Sequence, residues 1–151
     1  MRGFTFIEIL IGVAVLATLA TLILGGMSSF RESANLNRAR DIVIQQLKKA
    51  RIRTLSSNSS SSFGVRFASS SVVLFKGNGY NQSDPSNETE NLPALTEIIN
   101  VGFTGTTSLN VYFKRLTGEP TNTGIITLRS TRNPDKILRV QINAAGLIDT
   151  N

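Results

Sequence analysis

Few side chains in this 151-residue chain could do chemistry, and two of the commonest kinds are missing: it has no His and no Cys. Thiol nucleophiles, imidazole bases and the usual zinc and haem ligand sets are thereby excluded, because each needs a group titrating near neutrality or a soft donor atom. The run Ser56-Ser57-Asn58-Ser59-Ser60-Ser61-Ser62 supplies hydroxyls without a base, and hydroxyls that compete for backbone hydrogen bonds favour turns, so it reads as a loop. Asp135 and Asp149 are isolated acids without the partner that general acid–base work requires. The oxygen-rich segment Asn81 to Asn91, with Asp84, Glu88 and Glu90, does not follow the spacing of an EF-hand and reads as an exposed loop, so no metal or cofactor is assigned. The expectation is a protein that is not an enzyme.

Two sets of residues keep a chemical interest. One is Glu8, a lone carboxylate at the front of a long apolar run, where an unpaired charge costs about 2.5 to 3.5 kcal/mol at mid-membrane. The other is the group Lys114, Arg115, Arg129, Arg132, Lys136 and Arg139, cations in the last strands and turns that could contact nucleic-acid phosphates.

Patterning along the chain sets the framework that carries both. From Ile9 to Phe30 no side chain is charged, and the stretch is rich in Ile, Leu, Val and Ala. A spanning helix needs about 20 such residues, whereas the apolar part of a secretory signal runs about 7 to 15 and ends at a small-x-small cleavage site. The run therefore reads as a retained membrane helix, with Gly25-Gly26 the place for bending or local melting. From Arg31 to Arg53, Leu36, Ala39, Ile42, Val43, Leu47 and Ala50 recur at helical spacing, which predicts an amphipathic stalk continuing the same helix, roughly 75 Å in all if unbroken.

Charge is uneven along the chain. Residues 1–53 hold eight basic and three acidic side chains, net +5, and residues 54–151 hold eight basic and seven acidic, net +1. A basic stalk can meet anionic lipid heads or acidic neighbours, or it can be a solvated helix face. Arg31, Arg38 and Arg40 after the apolar run would by charge count alone place the large C-terminal part on the cytoplasmic side.

Beyond the serines the period changes to two. Strands are predicted at 63–67, 72–76, 97–103, 109–114, 124–130 and 136–143, with hairpin-like connections and turns at Gly77-Asn78-Gly79, Gly105, Gly118 with Pro120, and Asn133-Pro134. The alternation of Leu109, Val111 and Phe113, and of Leu138, Val140 and Ile142, predicts sheets with one face buried under the helix stripe.

The residues Gly3-Phe4-Thr5-Phe6-Ile7-Glu8 and the apolar run behind them resemble the class III signal of type IV pilins and type II secretion pseudopilins. The resemblance implies an α+β pilin-like fold, a long N-terminal helix packed on an antiparallel β-sheet head. It divides the chain into a leader at 1–3, a membrane and assembly helix at 4–30, a stalk helix at 31–55 and a head at 56–151. It implies that a prepilin peptidase cuts after Gly3 and methylates the new amino terminus of Phe4. It also implies that Glu8 pairs with the Phe4 amine of a neighbouring subunit. The resemblance further implies a retained helix with its head outside the cytoplasm, which overrides the charge count.

The later pattern Val111-Tyr112-Phe113, Thr117-Gly118, Gly124 to Leu128, Arg139 to Ile142 and Gly146-Leu147-Ile148 is similar to the GspH/FimT group of minor pseudopilins and minor pilins. That similarity implies a structural subunit of a secretion pseudopilus or pilus-like filament, single-pass in the bacterial inner membrane. Its implied partners are other pilins, the peptidase, the inner-membrane assembly platform and lipids. Some proteins like FimT are thought to bind DNA through an arginine-bearing loop, so the alternative is a DNA-binding minor pilin using the six cations between Lys114 and Arg139.

Overall fold

The computed structural model describes residues 4–56 and 60–150, with the backbone alone for 22–28. The chain divides into two compact units, 1–34 and 35–151. The described residues form one α-helix and eight β-strands, an α+β fold whose strand pairings are all antiparallel.

Helix α1 is Phe6–Leu55. It begins where the Thr5 carbonyl accepts the N–H groups of Glu8 and Ile9. Of the expected bending or local melting at Gly25 and Gly26, the melting does not occur: α1 continues through both glycines. Two glycines cost about 2 kcal/mol against alanine, which a helix that propagates for many residues on either side can absorb. Thr18 and Thr21 return their hydroxyls to the carbonyls of Val15 and Thr18, so neither is left unpaired on the apolar surface.

In the second unit the stripe Leu36, Ala39, Val43, Leu47 and Ala50 is at most 4% exposed and forms one cluster with the inner faces of two sheets. The spacing of three and four residues puts these side chains on one face, and Ala39 and Ala50 allow the helix backbone close to the strands. Ile42, expected in the stripe, is instead half-buried at its margin.

The first sheet has the order β3-β2-β1-β5, with β1 Phe63–Phe67, β2 Ser71–Lys76, β3 Glu88–Asn91 and β5 Asn110–Tyr112. The second has the order β4-β6-β7-β8, with β4 Thr96–Phe103, β6 Gly124–Ser130, β7 Ile137–Ile142 and β8 Ile148–Thr150. The β1–β2 and β6–β7 connections are the expected hairpins, and β7 turns back into a further strand, β8, that the patterning did not predict. Two findings correct the expectation. Glu88–Asn91 lies in the segment read as a loop, yet it pairs with β2 as an edge strand. After β4 the chain leaves for the other sheet as β5 and returns as β6, so β4 and β6 are neighbours without a hairpin.

Phe75 lies on the outer face of the first sheet, since it pairs with Gly64, whose neighbours Phe63 and Val65 point to the core. It is nevertheless buried: its ring occupies the space above Gly64, and Tyr80 closes over it edge-on at 5.8 Å. A Cβ at Gly64 would collide with the Phe75 ring and lie 2.7 Å from the Val111 carbonyl oxygen, so only glycine fits there.

Candidate functional site

Glu8 lies in the first turn of α1, where the unpaired N–H groups of a helix start favour a negative charge by about 0.3 to 1 kcal/mol. Thr5 and Glu8 have the spacing of a capping box, but neither side chain forms one, and the Glu8 carboxylate has no hydrogen-bond or ion-pair partner among the described residues. The carboxylate is therefore solvent-facing in the isolated chain. Phe4, four residues earlier, is 80% exposed. Gly3, the expected processing site, lies outside the described residues.

The helix surface around this acid is apolar on every side. Phe6, Ile7, Ile9, Leu10, Ile11, Val13, Val15, Leu16 and Leu19 are all at least 51% exposed. At about 100° per residue their directions cover the whole circumference. No single face could bury them; a surrounding medium or a ring of other helices could. Among the described residues no helix is long and apolar enough to cross a membrane. The described side chains of this apolar stretch end at Thr21, and those of 22–28 lie outside them.

The six cations of the alternative reading are spread over both sheets. Lys114 and Arg115 sit in the turn that follows β5, and Lys114 is held by Glu119 at 3.4 Å. Arg129 on β6 donates two hydrogen bonds to Glu97 across the β4 pairing. Arg139 on β7 stands opposite Thr127, so it shares the outer face of the second sheet with Arg129 and is exposed. Arg132 and Lys136 belong to the β6–β7 turn, where the Ser130 hydroxyl accepts the Arg132 and Asn133 N–H groups. The strands thus bring Arg129 and Arg139 together, while Lys114 and Arg115 leave from the other sheet.

Charged groups that patterning alone did not single out hold the helix to the strands. Glu88 receives Lys49 at 2.6 Å and Arg53 on its two carboxylate oxygens, and Arg53 also lies over the Phe63 ring at 5.8 Å. The hydrogen bond from Arg53, then that from Lys49, holds the Glu88 carboxyl below its ordinary value of 4.5, against a smaller opposing effect of burial. Thr54, fully buried at the helix end, donates to the Ala50 carbonyl and accepts the Phe63 N–H. The signal for these lay in the helix flank: Lys49 and Arg53 are four apart and border the stripe. Among the described residues no three or more His, Cys, Asp or Glu gather in a metal-holding group.

No family model, curated protein or solved structure matches this chain.

Proposed function

We propose that the chain is a structural subunit of a pilin-like filament, a minor pseudopilin or minor pilin, anchored by its leading helix until it is assembled. The observation that carries this reading is the helix surface from Phe6 to Leu19, apolar all round and uncovered, with one unpartnered acid in its first turn. In lipid that surface is solvated by acyl chains, and among parallel helices by their side chains, so transfer from one to the other is feasible. Glu8 then sets the register. An amine freed on Phe4 by cleavage after Gly3 is the matching cation, and leaving either charge buried without the other costs about 3 to 5 kcal/mol.

The α+β head, with its helix stripe under two antiparallel sheets, suits a pilin-like fold. The chemistry available suits an assembly role as well: a chain without His or Cys has little means for turnover but ample apolar surface for packing. The DNA-binding reading has less support, because Arg129 and Lys114 already face carboxylates.

Glu8→Ala and Glu8→Gln test the pairing in cells that assemble the filament. Both variants are expected to be processed and to fold their heads as the parent does, while their share in sheared filaments falls by about a hundredfold, the equivalent of roughly 3 kcal/mol. Incorporation of both at the parent level would refute the pairing.

A further inference from the structure

One cleft on the head is not used by the proposed assembly helix. It has a volume of about 370 Å³ and lies between the last turns of α1 and the β7–β8 turn, lined by Lys48, Arg51, Ile52, Gly146, Leu147 and Ile148. Its walls are aliphatic and protrude: Ile52 is 64% and Leu147 59% exposed, although the exposed positions of α1 between 35 and 51 are polar or charged. The turn beside it carries Leu116, 84% exposed and held at φ 72°, a conformation unfavourable for a branched side chain.

The cleft is also built rather than incidental. Arg51 donates from Nε to the Gly118 carbonyl and from Nη2 to the Ala145 carbonyl, tying the two turns to the helix. Gly146, at φ 72°, leaves room for this: a Cβ there would sit 2.7 Å from the Gly118 oxygen and 3.0 Å from Arg51 Nε.

Its charge is one-sided. The lining contains two cations and no acid. Arg51 is bonded to neutral carbonyls only, and the Lys48 side chain has no ion-pair or hydrogen-bond partner among the described residues.

We propose that this cleft docks an acidic peptide segment of another polypeptide, one that carries an aliphatic side chain beside its carboxylates. Exposed aliphatic groups rimmed by unneutralised cations are complementary to that chemistry, with the apolar side chain entering between Ile52 and Leu147 and the carboxylates meeting Lys48 and Arg51. Nucleic acid fits less well. Its recognition on a single strand uses aromatic platforms, whereas the two tyrosines lie elsewhere: Tyr112 on β5, and Tyr80 over Phe75 on the outer face of the first sheet. The proposal is independent of the filament reading.

The test uses the full chain in nanodiscs of zwitterionic lipid, with empty nanodiscs as blank, and fluorescence anisotropy of a labelled synthetic peptide alternating Leu with Glu. Binding is expected for this peptide, and not for versions with Lys in place of Glu or Ser in place of Leu, nor for a single-stranded oligonucleotide. Lys48→Glu and Ile52→Asn, both at exposed helix positions, are each expected to weaken it about tenfold with unchanged circular dichroism. Three results would overturn the proposal: no binding of the acidic peptide, binding indifferent to both substitutions, or preference for the oligonucleotide.

Discussion

The two ends of α1 have the same secondary structure and opposite surfaces. In the second unit Leu36, Ala39, Val43, Leu47 and Ala50 form a single stripe and are at most 4% exposed, closed off by strands of the same chain. From Phe6 to Leu19 they point in every direction and are at least half exposed. Circumference, rather than hydrophobicity, separates them. A stripe can be satisfied by one's own sheet, while a greasy cylinder needs partners on all sides. On the proposed reading, one end of the helix folds the head and the other is left for assembly.

Substitutions that act on one end only can break this contrast. Leu47→Ala empties a fully buried site and is expected to destabilise the head by about 2 to 5 kcal/mol. Leu16→Ala, on the exposed end, is expected to shift the same transition by less than about 0.5 kcal/mol. Guanidinium unfolding followed by the emission of Tyr80 and Tyr112, the two tyrosines of a chain without Trp, reads both. Equal effects would dissolve the contrast.

A smaller effect sharpens the boundary of the folded end. Thr54→Val keeps the shape but orphans the buried N–H of Phe63, with an expected loss of about 1 to 3 kcal/mol in the same unfolding experiment. Smallest is the surface link to β3. Glu88→Gln is expected to cost about 1 kcal/mol or less at neutral pH, since the carboxylate remains substantially exposed. Because the folded Glu88 carboxyl titrates below 4.5, its contribution is present above that pH and lost as pH falls through the lowered value. The variant should therefore show a shallower loss of stability below pH 4.5 than the parent, and a parallel acid profile would show that the pairing contributes nothing.

What could be read from residues alone tracks how local the cause was. The stripe and six of the strands announce themselves by period, because side-chain direction along one segment needs no knowledge of its neighbours. Strand β3 was hidden. Glu88-Thr89-Glu90-Asn91 has little strand character of its own, and it forms because β2 offers an edge in the register Val72 to Glu90. The return of the chain from β4 through β5 to β6 was equally hidden, since alternation specifies a face but not the strand beside it. At the candidate site, Glu8 stood out as one charge before a long uncharged run, whereas the Arg51 bridge to Gly118 and Ala145 joins turns that are remote in sequence. The cations of the alternative reading were visible as residues, but the Glu97 facing Arg129 was not.

Mass spectrometry of the chain recovered from cells with an active prepilin peptidase addresses the central claim most directly. The predicted mature protein begins at Phe4 with a methylated amine and keeps the whole apolar helix. A product that starts beyond that helix, or one still carrying Met1, would contradict the account.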